Sequence, residues 1–353
     1  GMAKNGTRPA RMVPVLAAPF LASRGHAGLA FGLIAAGVLG FNIFRGIALI
    51  GNNPVLASLA EGRDRGSFLV NVQIVNNLSG MATNLLVAFA LARFASASAS
   101  PGAVTALYDG FIALGLAVGI GGSLILLRTP EPEDYRPGAS ASLLKTIVEA
   151  VKEKRFRAFF EVLIILSFAA GMARSFLPVY AVAVYRQGDD LVMAYSLLAS
   201  LGAVAMGLLT RLLVDRLGAK PLYFIFTGVA AISIIPAVVS PALPTAFEAI
   251  LFLGAFNFLS SFGLAGEENA GQTYYFGLVP KEKNLDLSVV YFLAFGLGGA
   301  LGSTAGGLGL EALRGYGLAA PAAYRIFFGT VLFCLLLALL RMGRLTRLGS
   351  ASV

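Results

Sequence analysis

The sequence is short of charge. Only 13% of its 353 residues are Asp, Glu, Lys or Arg, about half the share of an ordinary soluble domain. A water-soluble fold of this length would not have enough polar side chains to cover its surface. Cysteine and histidine are scarcer still, at one each, Cys334 and His26. An internal disulfide framework is excluded. A zinc centre built on Cys and His, and a nucleophile–histidine centre, lack their parts, because Cys334 sits in the apolar run Phe333-Cys334-Leu335 and His26 sits in a turn beside Gly25. No Gly-x-x-x-x-Gly-Lys-Ser/Thr run occurs, which argues against ATP-driven work by this chain. Nothing calls for a cofactor or a resident metal.

Apolar length is what the sequence has. Apolar and aromatic residues make up 57% of the chain, and the mean hydropathy is +0.80. A transmembrane helix needs about 20 mostly apolar residues. Ten stretches qualify as candidates: 12–24, 28–59, 66–94, 104–128, 158–185, 190–214, 221–240, 244–277, 285–311 and 323–342. The first is short and holds Pro14 and Pro19. Lipid offers no partner to free backbone groups, so the spans must be helices or a closed barrel. These runs are too long for barrel strands and do not alternate. The expected fold is all-α, a polytopic membrane helical bundle.

The basic residues give the orientation. Of 27 Lys and Arg, 20 fall at the start, at the end and in the loops on the same side, and 5 fall on the other side. Arg45 and Arg174 are left inside spans. The positive-inside rule then puts both termini in the cytoplasm. The excess of positive charge is topological, so no nucleic-acid partner is assigned. The partners expected are the lipid bilayer and a small-molecule solute. The largest cytoplasmic segment, 129–157, opens on Pro130-Glu131-Pro132-Glu133-Asp134 and continues with apolar residues at three- and four-residue spacing. It reads as a linker with an amphipathic helix. It would separate a half-bundle of four helices, 1–128, from one of six, 158–353.

Sliding the chain by 219 residues sets Gly80 on Gly299, Gly110 on Gly329 and Tyr108 on Phe327. Identities are few, but one offset aligns three successive helix pairs and their loops. Transporters are often built from two such halves related by an axis normal to the membrane. On that argument the first half is two helices, or about 60 residues, short at its N-terminal side. The expectation is an N-terminally incomplete form that starts between the second and third helices.

After the sixth span the chain reads Gly207-Leu208-Leu209-Thr210-Arg211-Leu212-Leu213-Val214-Asp215-Arg216-Leu217-Gly218-Ala219-Lys220. This resembles the signature loop of the major facilitator superfamily, Gly-x-Leu-x-Asp-Arg-x-Gly-Arg-Arg/Lys, with matches at Leu213, Asp215, Arg216, Gly218 and Lys220. Arg65-Gly66 is similar to the loop after that family's fourth helix. The resemblance covers the chain as helices three to twelve, and implies two pseudo-symmetric half-bundles of the major facilitator type. It implies a conformational latch at Asp215, Arg216, Gly218 and Lys220. Physically, a tight turn needs the backbone freedom of Gly218, and Asp215 can pair with a basic residue or a helix N-terminus.

Ionisable residues at membrane depth are costly and mark cavities or partners. Arg45, Arg174, Glu267 and Glu268 stand out. The arginines are candidates for binding an anionic solute, and the glutamates for carrying a proton. Interhelical pairing, or snorkelling to the interface, is the structural alternative. By resemblance their helices are the fourth, seventh and tenth, which line the family's central cavity. Amides add Asn42 and Asn53, which can share a face with Arg45, together with Asn77 and Asn269 as further solute-binding candidates. Amides also bridge helices structurally. The glycines Gly296, Gly298, Gly299, Gly302, Gly306 and Gly307 read as close helix packing.

The leading functional expectation is a secondary transporter that moves a small polar or anionic solute by alternating access, with protons or another ion as candidates for coupling. It is expected to be a prokaryotic inner-membrane protein. The competing readings are a multidrug or metabolite exporter of the same fold, an integral membrane enzyme relying on carboxylates, and a non-transporting receptor or assembly factor.

Overall fold

The computed structural model describes residues 18, 21, 24–26, 28–34, 36–37, 65–95, 101–126, 147–148, 152–239, 243, 245–280 and 284–346. The regular elements are all helical: α1 (Arg65–Ala95), α2 (Pro101–Leu126), α3 (Lys154–Tyr185), α4 (Asp189–Leu217), α5 (Ala219–Val239), α6 (Ala246–Leu278), α7 (Asn284–Gly315) and α8 (Ala320–Met342). Each coincides with an apolar run read from the sequence, to within four residues at either end. The six helices α3 to α8 are each long and apolar enough to cross a bilayer. The protein is an integral membrane protein. Of the remaining two predicted spans, 12–24 and 28–59, only parts fall on described residues. There, 28–34 and 36–37 are helical, and Arg24 and Gly25 form a turn in which Gly25 adopts φ 83°.

The chain divides into two compact units, residues 1–55 with 86–138, and residues 56–85 with 139–353. In the first, α2 is the main described element. Its Asp109 has a buried Oδ1 with no hydrogen-bond partner among the described residues. The second holds the six-helix bundle.

Within the bundle, α3 packs on α7 and α8, and α6 packs on α4 and α5, while α8 joins the two groups through α5. Three backbone approaches set these pairings. A Cβ on Gly171 would collide with the carbonyl of Gly299, and one on Gly302 with the carbonyl of Phe168, so α3 and α7 cross backbone to backbone. A Cβ on Gly202 would meet the carbonyl of Phe258 between α4 and α6. Lipid tails are as apolar as leucine, so helices associate through such close van der Waals packing. Gly296, by contrast, faces open space. Pro178 and Pro236 lie inside α3 and α5, which continue through them.

The up-and-down topology gives the bundle two ends. One gathers the start of α3, the α4–α5 turn, the end of α6, the start of α7 and the end of α8. This is the end of the basic loops, and we call it the basic end. The core rings divide accordingly. Phe159, Tyr274, Tyr275 and Tyr291 cluster towards the basic end, with Tyr275 and Tyr291 centroids 4.8 Å apart. Tyr180, Phe256, Tyr324 and Phe328 cluster towards the other, with Tyr180 and Phe328 5.0 Å apart.

Candidate functional site

The charges between the two ends are on α6 and α3. On α6, Gly263, Glu267 and Gly271 follow one another at i, i+4 and i+8, so they share a face. Both glycines meet α5. A Cβ on Gly263 would clash with the Ala230 backbone, and one on Gly271 would stand 3.0 Å from the Tyr223 ring and 3.2 Å from its hydroxyl. Glu267, framed by them, is therefore turned into the α5–α6 seam and is only 3% exposed. Tyr223 and Tyr291 are close enough to interact with it electrostatically.

The next residue is rotated by about 100° and has a different environment. Glu268 turns to α3, where Arg174 Nη2 donates to its Oε2 at 2.8 Å and to the carbonyl of Leu264 at 3.2 Å. Arg174 and Glu268 keep 45% and 39% of their side-chain surface open. Beside Arg174, the hydroxyls of Ser175 and Ser303 are 2.9 Å apart and link α3 to α7. The result is one open ion pair backed by one buried acid. Such an arrangement can present a cationic edge to a solute and hold a proton a single residue away.

Asn269 is 7% exposed, and its Oδ1 has no hydrogen-bond partner among the described residues. Its backbone carbonyl accepts from Thr273 Oγ1 at 2.9 Å. Asn77 is half-buried on α1 and is not part of the Arg174 pair. Asn42, Arg45 and Asn53 lie outside the described residues. The structure thus brings together Arg174, Glu267 and Glu268. Sequence reasoning did not single out Ser175, Ser303 or Tyr223, since isolated hydroxyls in apolar helices carry no distinguishing pattern. No group of three metal-ligating side chains comes together among the described residues.

The signature loop is a two-helix turn. α4 ends at Leu217, Gly218 adopts φ 76° and ψ 171°, and α5 starts at Ala219. A side chain would strain that backbone, which accounts for the glycine. Asp215 lies in the last turn of α4. Arg216 is exposed in the same turn, where a cation is favourable at a helix C-terminus. Lys220 does not simply point to solvent: its Nζ donates to the backbone carbonyl of Leu345.

Helices long and apolar enough to cross a bilayer, with an ion pair between their ends, make this a polytopic membrane bundle of the kind that can enclose a polar site. The sequence profile of the Major Facilitator Superfamily matches residues 12–303. The chain belongs to that superfamily. No curated relative matches the sequence. Among solved structures, a bacterial homologue of the iron transporter ferroportin, in an outward-facing state, is similar at 15% identity and TM-score 0.63, covering 97% of this chain and 82% of that one. The E. coli fucose:proton symporter FucP is similar at 13% identity and TM-score 0.63, covering 96% of this chain and 83% of that one. At these identities the likeness is one of fold.

Proposed function

We propose that this protein is a secondary transporter that carries a small polar or anionic solute by alternating access, coupled to protons. The observation behind the proposal is the neighbouring pair on α6, Glu268 ion-paired with an open Arg174 and Glu267 buried behind it. The Arg174 fork can hold a carboxylate or phosphate oxygen, and Glu268 then competes with the solute for it. Glu267 has the burial of a group that changes protonation rather than partners. FucP is a proton symporter by description, which supports protons as the coupling ion. On this reading the protein sits in a prokaryotic cytoplasmic membrane with its termini inside, as the 20-to-5 split of basic residues favours. It is organised as a half-bundle over 1–128, a linker over 129–157 and a half-bundle over 158–353. Asn42, Arg45, Asn53, Asn77 and Asn269 are further solute-contact candidates, and Asp215, Arg216, Gly218 and Lys220 form the gating loop.

The test uses purified protein in liposomes, a panel of labelled sugars and small organic acids, and an imposed pH gradient. Uptake of at least one solute should respond to the gradient. Arg174→Ala and Glu268→Gln should cut its flux at least tenfold. Glu267→Gln should uncouple uptake from the gradient while leaving exchange intact. If all three variants transport like the parent, the site is wrong. If uptake ignores the pH gradient, the coupling is wrong.

A further inference from the structure

We propose that residues Gly343–Thr346 form a latch that holds the basic end of the six-helix bundle closed, and that its release frees α6, the helix carrying Glu267 and Glu268. This goes beyond the transport reading and does not depend on the identity of any solute.

After Met342 the chain does not simply leave the bundle. It makes a short turn, with Arg344 N bonded to Arg341 O and Leu345 N to Met342 O, at 3.0 and 3.1 Å. Leu345 is then only 4% exposed, packed into the core with Met342 at 1%. Two partners from far away in sequence hold the segment there. Lys220, the second residue of α5, donates to the Leu345 carbonyl. Tyr274, near the end of α6, donates to the Thr346 carbonyl at 3.0 Å, and its hydroxyl lies 3.3 Å from Thr346 Oγ1. The four residues therefore tie the ends of three helices: α8 by the chain itself, α5 through Lys220 and α6 through Tyr274.

These ties connect to the charged pair. Tyr274 stands six residues beyond Glu268 on one continuous helix, so any outward swing of this end of α6 must break its bonds to Thr346. Lys220, which follows the Gly218 turn, holds the start of α5 to the same segment through the Leu345 carbonyl. Each bond is individually modest and is made to a backbone carbonyl, so it can break without leaving an unpaired carboxylate behind. The buried Leu345 side chain supplies the remaining hold. The signature loop thus acts here on its own half-bundle, through a lysine gripping the segment that follows the last helix.

Hydrogen exchange of the full chain in lipid nanodiscs tests this without a transported solute. Tyr274→Phe, Lys220→Gln and Leu345→Asp are compared with the parent. Amides in 219–226 and 270–278 should exchange together, at least about fivefold faster in each single variant. Peptides from the opposite end, 176–185 and 246–256, should keep their parental rates. Acceleration confined to 342–346 would show a frayed tail rather than a latch and overturn the proposal. Equal acceleration at both ends would show general destabilisation and overturn it as well. Tyr274→Phe removes a single hydroxyl, so it probes the latch even if Leu345→Asp fails to fold.

Discussion

The two ends of the six-helix bundle are built from the same rings and fastened differently. At the basic end, Phe159 packs with three tyrosines, and two of these place their hydroxyls on outside partners: Tyr274 on Thr346, and Tyr275 on Ser288 at 3.2 Å. Glu161 stands between two arginines, 3.8 Å from Arg157 and 3.4 Å from Arg341. At the opposite end two tyrosines and two phenylalanines surround Tyr180, and much of the polar bonding is capping. Arg325 donates to the carbonyls of Val238 and Val239 at 2.9 and 2.8 Å, where α5 ends. Thr245 and Glu248 form a reciprocal capping box at the start of α6. Arg186 takes φ 52° to close α3. The opposite end is sealed by packing and by backbone caps, one of which reaches from α8 to the end of α5. The basic end adds side-chain ion pairs and hydroxyl bonds between segments up to 180 residues apart. Buried rings have no water to exchange with, whereas the half-exposed Glu161 pairs can be exchanged for water at little cost.

The sharpest way to break the contrast is at the packed end. Phe328 is fully buried and touches Tyr180, Phe256, Tyr324 and Phe327. Phe328→Ala should cost about 3 kcal/mol through lost contacts and a cavity, seen as a lower midpoint in detergent-titrated unfolding. A loss below about 1 kcal/mol would mean that this end is not held by its rings. Arg325→Gln comes next. It removes a cation and two donors from the last carbonyls of α5, and should cost about 1 kcal/mol. Raising the salt should remove the helix-dipole share of that loss and leave the share due to the two hydrogen bonds. The smallest effect is expected at the basic end. Arg341→Gln breaks a pair that is 40% exposed on both sides, worth at most about 1 kcal/mol. Repeating the melt at high ionic strength should erase the difference from the parent. A loss that survives salt would mean that Arg341 acts by packing, and would bring the two ends closer in kind.

Much of the fold was legible from the residues. The runs 158–185 and 323–342 became Lys154–Tyr185 and Ala320–Met342, because hydrophobic length and backbone satisfaction leave lipid-embedded chain few choices. The glycine reading of α7 held at Gly302, where the bare backbone touches α3, but not at Gly296, which faces open space. Both look alike in sequence; only the rotation of α7 separates them. The site was legible as a set of residues and not as an arrangement. Glu267 and Glu268 read as equivalents, yet one is buried against α5 and the other is ion-paired to α3. Lys220 read as part of a gating loop, and its partner lies 125 residues away, beyond the reach of any local pattern.

From the sequence alone came the helices, their lengths and the inventory of ionisable groups placed among apolar ones. Those follow from local composition measured against the thickness and dielectric of a bilayer. Tertiary structure decided which acid meets Arg174, which glycines touch a neighbour and where the segment after α8 comes to rest. Each of those depends on how one helix is rotated against another that is distant in the chain, 94 residues in the case of Arg174 and Glu268, and a rotation of about 100° is enough to exchange a buried carboxyl for a paired one.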